Sequence, residues 1–337
     1  MGNDRLKPIS QLWQRPQLVL FAPYIIVGLI LIIVPPFIPT AIQGILTKFL
    51  IFAIFAMGFN LVFGYTGLLS LGHAAYFGTG GYAAAAIMLH YDINSVWICT
   101  PLGILVAALL AAAFGPIALK VSGLYFLLIT FALGQALYAV AWHWPWLNVG
   151  VMRGIMGLPW PALGIPEFAW NATNFYYFIF TGFVICYFLL RLITNSPFGH
   201  ALVAIREGEP RMQALGYNTW LYKYLAFVIS GAFAGLAGVL FVYYNRFIAP
   251  SHLAVGTSFL PMVMAIIGGR TMLFGPVIGA LIVIFVEYYA SIFTPERWPL
   301  ILGGIFVIAI LFAREGVGVY LSRLWGKVIE HYGSTKN

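Results

Sequence analysis

Runs of about twenty apolar residues recur along the chain, at roughly 19–39, 41–63, 67–90, 97–118, 122–143, 174–193, 224–245, 259–273, 275–293 and 298–313. At a rise of about 1.5 Å per residue, a helix of that length crosses a hydrocarbon core of about 30 Å. Inside such a core every backbone N–H and C=O must find a partner within the protein, which leaves helices or closed barrels. A barrel would show segments of about ten residues alternating in polarity, a pattern the sequence lacks. Composition agrees: 62% of the residues are hydrophobic and 8% charged, whereas a soluble domain carries about 25% charged residues. The expected fold is an all-α polytopic membrane protein of about ten transmembrane helices, some of them broken or re-entrant.

Placement of the +8 net charge sets an orientation. Basic residues gather in the N-terminal tail (Arg5, Lys7, Arg15), in the 191–223 segment (Arg191, Arg206, Arg211, Lys223) and in the C-terminal tail (Arg314, Arg323, Lys327, Lys336). Lys and Arg in short loops mark the cytoplasmic side. Both termini and the 194–223 loop are therefore expected to be cytoplasmic, with an even number of crossings and no nucleic-acid partner. The implied organisation is a tail over 1–18, a membrane domain over 19–313 and a second tail over 314–337. The first apolar run is too long for a signal-peptide core and lacks a small-residue cleavage site, so it reads as a retained crossing. Trp144, Trp146, Trp160 and Trp170 place the 144–173 segment at the outer interface. Cys99 and Cys186 stand alone in apolar surroundings, which suggests neither a disulfide nor a metal site.

Two glycine-rich interruptions break the apolar pattern. Gly64-Tyr-Thr-Gly-Leu-Leu-Ser-Leu-Gly-His-Ala-Ala-Tyr-Phe-Gly-Thr-Gly-Gly81 holds six glycines, each costing about 1 kcal/mol relative to alanine within a helix. A fainter echo runs from Gly268 and Gly269 to Ala280. Paired interruptions in corresponding halves are a pointer to a transporter's central pathway. Ser70 and His73 lie three apart, on one helical face. They can be read as a hydrolase pair, as polar groups lining a pathway, or as a structural hydrogen bond. The first reading lacks a Gly-x-Ser-x-Gly elbow and an orienting carboxylate. Small residues four apart (Gly80/Ala84, Gly81/Ala85, Gly231/Gly235, Ala234/Gly238, Gly275/Gly279) predict close helix packing. Glu287, inside an apolar run, is expected to pair with a neighbour or reach toward Arg297 rather than carry protons.

The most informative polar segment runs from Asn195 to Gly216. Ser196 followed by Pro197 starts a helix well, and Ala201, Leu202, Ala204 and Ile205 give it an apolar face. Gly208 and Pro210 break it, and a second short helix would stop at Gly216. Two short capped helices with an apolar face form a docking surface for another protein, in preference to a solvated linker. The chain has no Gly-x-x-x-x-Gly-Lys-Ser/Thr phosphate loop, so ATP hydrolysis would belong to another chain.

Gly67-Leu-Leu-Ser-Leu-Gly-His-Ala-Ala-Tyr-Phe-Gly-Thr-Gly-Gly-Tyr-Ala-Ala84 and Ser196-Pro-Phe-Gly-His-Ala-Leu-Val-Ala-Ile-Arg-Glu207 resemble signatures of the branched-chain amino-acid ABC-transporter permeases. Ser122–Phe126, Ala226–Gly238 and Gly268–Ala280 match in the same order, so the resemblance spans roughly 40–313 and is nearest the LivM-like component. It implies a non-enzymatic subunit of an importer in the bacterial inner membrane, paired with a sister permease, two cytoplasmic ATPases and an extracytoplasmic binding protein. ATP and Mg would sit on the ATPases, with no cofactor, metal or catalytic residue on this chain. The resemblance places ATPase docking on Ser196, Pro197, Phe198, Gly199, Arg206, Glu207 and Gly216. The pathway and its breaks fall to Ser70, Gly72, His73, Tyr125, Thr130, Gly268 and Gly269. His200 stands where relatives commonly have Arg, and 148–157 departs from the usual Thr-Gly-Gly-rich loop. The substrate is then a branched-chain amino acid or a similar small polar solute such as urea or an amide. The competing reading is a stand-alone carrier or channel.

Overall fold

The computed structural model describes residues 31–148, 154–164 and 170–293, with residues 28, 300–301, 303–304, 307, 311 and 316–320 besides. The expected crossing at 298–313 falls largely outside the described residues, that at 19–39 about half outside, and Arg297 and most of both tails lie outside as well. Among the described residues nine α-helices dominate: α1 Thr40–Asn60, α2 His73–His90, α3 Val96–Ala118, α4 Leu124–His143, α5 Ala172–Thr194, α6 Pro197–Ala214, α7 Thr219–Asn245, α8 Val255–Gly268 and α9 Gly275–Phe293. A π-helical turn, Leu61–Tyr65, prolongs α1. Six of these segments are long and apolar enough to cross a membrane: Thr40–Tyr65, α3, α4, α5, α7 and α9. The chain is a multi-pass helical membrane protein.

Contacts between the connections sort them to two ends. One end gathers 61–72, 118–124, 194–219 and 268–275 and carries Lys120, Arg191, Arg206, Arg211, Lys223 and Arg270. The other gathers the tryptophan-rich segment. There β1 (Ile155–Met156) pairs antiparallel with β2 (Phe247–Ile248), and the Arg246 guanidinium lies 4.8 Å from the Trp160 ring. These are the basic end and the tryptophan end below.

Helix α1 is the hub: from Phe49 to Phe63 every residue is buried, in contact with α5, α7, α8 and α9. Helices α2 and α7 approach almost to backbone contact. A Cβ on Gly80 would strike Gly235, and one on Gly238 would strike the Phe77 carbonyl. The small-residue spacing read from the sequence does serve this packing. Helices α3, α4 and α5 form the periphery, with outward rows such as Leu102, Leu105 and Leu109 on α3.

Two elements are interrupted, in keeping with the glycine-rich breaks and the broken or re-entrant segments expected from the sequence. The crossing expected at 67–90 is helical only from His73, because residues 66–72 are irregular chain, with Thr66, Leu68, Ser70 and Gly72 buried within the bundle. Helix α8 spans 14 residues, or about 21 Å. It is too short to cross alone and is led in by a 3-10 turn, Pro250–Leu253. Glu287 does find a neighbour: Lys48 Nζ on α1 lies 2.9 Å from its Oε1.

Candidate functional site

The first break is built from the end of α1 upward. Asn60 closes the α-helix and the next turn widens to a π-helix, a feature that often marks functional positions. Thr66 Oγ1 donates back to the Val62 carbonyl at 2.5 Å, and the Leu68 N–H reaches the same carbonyl at 3.1 Å. Gly67, at φ +76°, makes the turn that lets the chain climb into the bundle.

Irregular backbone at membrane depth must be satisfied by protein, and here side chains meet the need. The Leu71 N–H donates to Thr130 Oγ1 on α4 at 3.2 Å, the Gly72 N–H to Ser70 Oγ at 3.3 Å, and the Ala74 N–H to Ser258 Oγ on α8 at 2.8 Å. These partners place the start of α2 about 9–15 Å inside the bundle, counting 1.5 Å per residue from the basic ends of α4 and α8.

His73 locks this arrangement. Its Nδ1 lies 2.9 Å from Ser70 Oγ and its Nε2 2.8 Å from Ser230 Oγ on α7. Ser230 Oγ in turn donates to the Gly58 carbonyl of α1 at 2.7 Å. Proton counting fixes the rest. Ser230 spends its one hydrogen on Gly58, so it accepts from Nε2–H. The bare Nδ1 then accepts from the Ser70 hydroxyl, and every donor is used once. Ser70, His73, Ser230 and Ser258 are all wholly buried, with Phe59, Tyr76 and Phe227 edge-on to the imidazole. Ser70 and His73 do meet as a pair, but the second ring nitrogen faces a serine rather than a carboxylate. Of the three sequence readings, the structural hydrogen bond fits this geometry.

The other residues assigned to the pathway divide. Thr130 joins the break directly, and a Cβ on Gly72 would meet the Thr130 carbonyl. Tyr125 is 72% exposed on the outward face of α4 and does not reach the break. Gly268 and Gly269 form the second break, where Gly269 turns at φ +109° and Gly275 and Gly279 pack against Gly268 and Met264.

Helix α6 has the punctuation expected of it. The Gly199 N–H donates to the Ser196 side chain at 3.4 Å, Pro197 occupies the first turn, Gly208 departs from helical geometry and Gly216 follows the end at φ +87°. Phe198 stacks on Tyr222 of α7 at 5.6 Å, and a Cβ on Gly199 would strike the Thr194 carbonyl. Pro197, His200, Glu207 and Arg211 face outward.

Arg206 does not join them. Its Nη1 donates to the Gly64 carbonyl, its stem lies against Gly67, and its side chain is 24% exposed. Gly64 also abuts the Arg270 carbonyl of the second break, and Asn60 Nδ2 reaches the Met272 carbonyl at 3.4 Å. The guanidinium of Arg270 covers the Phe63 ring at 5.5 Å. Both breaks and the α6 helix therefore meet at the π-turn. Asn60, Ser230, Ser258 and Arg270 were not singled out by the sequence reading. Each is a polar residue inside or beside an apolar run, the signal that could have found them.

Comparisons with known proteins place this architecture. The family model described as branched-chain amino acid transport system / permease component matches residues 41–311. The high-affinity branched-chain amino acid transport system permease protein LivM of Escherichia coli (strain K12) is 26% identical over 317 residues, covering 87% of this chain and 74% of the relative. Its counterpart in Salmonella typhimurium is 27% identical over 295 residues, with 81% and 69% covered. A probable LivM of Methanocaldococcus jannaschii is 25% identical over 287 residues, with 75% and 82% covered. No solved structure matches the chain. The family match covers most of the sequence, including both breaks and α6, and the chain belongs to the branched-chain amino acid transport permeases, the membrane subunits of ABC importers.

Proposed function

We propose that this chain is one of two permease subunits of an ATP-driven importer in the bacterial inner membrane, moving branched-chain amino acids or a similar small polar solute. The names of its relatives support the substrate class. The basic end faces the cytoplasm, as the concentration of Lys and Arg there favours. With the segments beyond the described residues, the membrane domain over 19–313 makes about ten crossings, and the tails 1–18 and 314–337 lie on the cytoplasmic side. The 194–223 loop docks one of two ATPases carrying ATP and Mg through the outward side of α6, and a sister permease and an extracytoplasmic binding protein complete the assembly.

The observation that carries this reading is the contact between Arg206 and the Gly64 carbonyl. A helix at the cytoplasmic end is hooked to the π-turn from which the buried break begins. Movement of α6 would pull on Gly64 and, through Asn60 and Arg270, on the second break. Ser196, Phe198 and Gly199 fix α6 to α5 and α7, and Glu207 and Gly216 shape its exposed side. Reconstitution into proteoliposomes tests the class. Leucine uptake should require the sister permease, both ATPases, the binding protein and internal ATP, and sustained uptake by this chain alone would sink the importer reading.

A further inference from the structure

Helix α6 is two limbs rather than one, because Gly208 departs from helical geometry between 197–207 and 209–214. Arg206 hooks the first limb to the π-turn, and the second limb is tied elsewhere. Lys223 Nζ of α7 lies 2.5 Å from an oxygen of Glu209, the first residue past the kink. The Gln213 amide donates to Thr219 Oγ1, in the opening turn of α7, at 3.1 Å, and Met212 is buried. Phe198 of the first limb also leans on α7 at Tyr222. The ion pair adds a charged tie from beyond the kink.

This pair differs from a solvated surface contact. The Lys223 side chain is 12% exposed and that of Glu209 34%. Fully exposed pairs contribute little, since water and salt screen them and both side chains give up freedom. Lys223 is largely out of water, where the attraction is screened less. Separating the pair would leave that charge uncompensated, so the tie resists being pulled apart.

The residues that follow Lys223 on α7 give the pair its reach. Phe227 and Ser230 stand four and seven residues on, the helical spacing that places all three on one face. Ser230 Oγ lies 2.8 Å from His73 Nε2 and donates to the Gly58 carbonyl, and Phe227 stands edge-on to the imidazole at 6.0 Å. Along the helix axis Lys223 is only about 10 Å from Ser230. Helix α7 therefore joins the second limb of α6 to the junction that holds the first break.

We propose that Glu209 and Lys223 form a second coupling tie, through which the far limb of α6 moves α7 and with it the Ser230–His73 junction. Both are positioning residues that act through Ser230 and Phe227. Docking then reaches the first break at two points, the Gly64 carbonyl through Arg206 and the His73 ring through α7. The proposal rests on the importer reading above and names residues that transmit its ATP-driven movement. It accounts for a kink set between two anchored limbs and for a largely buried lysine, the one charged residue of α7.

The test uses the complete importer in proteoliposomes and reads leucine moved per ATP hydrolysed, with Tm measured on the same complexes. Lys223→Met keeps the stem and removes the ammonium, and Glu209 is exposed enough to turn to water. Its Tm should stay near the wild type while leucine moved per ATP falls about fivefold, the scale of coupling changes made away from a ligand site. The swapped double Glu209→Lys/Lys223→Glu should restore most of the loss. The double Arg206→Met/Lys223→Met should lose about the product of the two single losses, because ties acting through different elements add in free energy. A wild-type ratio in Lys223→Met, whatever its Tm, would overturn the tie and leave the importer reading standing. So would a swapped variant of wild-type Tm that recovers nothing, or a double variant no worse than Arg206→Met alone. Sustained leucine uptake by the wild-type chain by itself would overturn the importer reading and the tie together.

Discussion

From Leu71 to Ala74 the open backbone is met by side chains of α4 and α8, and the His73 ring is tied to Ser230 of α7. Between Gly269 and Phe274 the closure is made by what is missing. A Cβ on Gly268 would strike the Gly275 carbonyl, one on Gly279 the Met264 carbonyl, and one on Gly316 the Gly269 backbone. The first break is held by hydrogen bonds that have donors, acceptors and a proton order. The second is held by backbone surfaces too close for any side chain. A hydrogen-bonded joint can exchange partners and move, whereas a joint of touching backbones is a fixed pivot. The π-turn at Leu61–Tyr65 stands between the two and is gripped by Arg206.

The largest effect should come from the fixed side. Gly279→Ala drives a methyl into a carbonyl that cannot retreat and should destabilise the bundle by about 3 kcal/mol or more, read as a lowered Tm in detergent. Gly182→Ala, whose methyl would find only a Leu240 methyl at 3.8 Å, is the control and should be nearly silent. If the two lower the Tm equally, close backbone contact is not what sets the second break.

The hydrogen-bonded side should behave differently because it can be removed as a unit. His73→Leu orphans the Ser70 hydroxyl and the acceptor side of Ser230, at about 1–3 kcal/mol for each buried group left unsatisfied. The triple variant Ser70→Ala/His73→Leu/Ser230→Ala removes the partners together and should regain part of that loss. It would still leave the Gly72 N–H open and take the Ser230 donor from the Gly58 carbonyl, so recovery should be incomplete. A triple variant less stable than His73→Leu alone would contradict the claim that unsatisfied hydroxyls carry the loss. The smallest effect belongs to Tyr125→Ala on the outward face of α4, within about 0.5 kcal/mol, measured in the same thermal assay.

How far the sequence revealed this can be judged element by element. Helix α9 begins and ends where its apolar run does, and α6 kinks at the expected Gly208, since both follow from local chemistry. The break within 67–90 was legible from its glycines, but the helix's start at His73 was not, because an apolar run looks alike whether it is helical or irregular chain packed among other helices. Periodicity carries no record of side chains donated from elsewhere, such as Ser258 to the Ala74 N–H. Tyr125 was chosen by its place in a motif, and its exposure could not be read without knowing that α4 is peripheral. Arg206 was legible as a residue of the docking helix, while its inward direction depends on Gly64, 142 residues away. Lys48 as the partner of Glu287 was invisible for the same reason, with 239 residues between them.

The central claim is that α6 drives the first break through Arg206, and coupling in the reconstituted importer tests it most directly. Arg206→Met keeps the stem against Gly67 and removes the donor to the Gly64 carbonyl. A charged hydrogen bond contributes about 1.5–3 kcal/mol, so solute moved per ATP should fall about tenfold or more while ATP hydrolysis continues, and Arg206→Lys should restore part of the loss. An Arg206→Met importer that moves as much solute per ATP as the wild type would contradict the account.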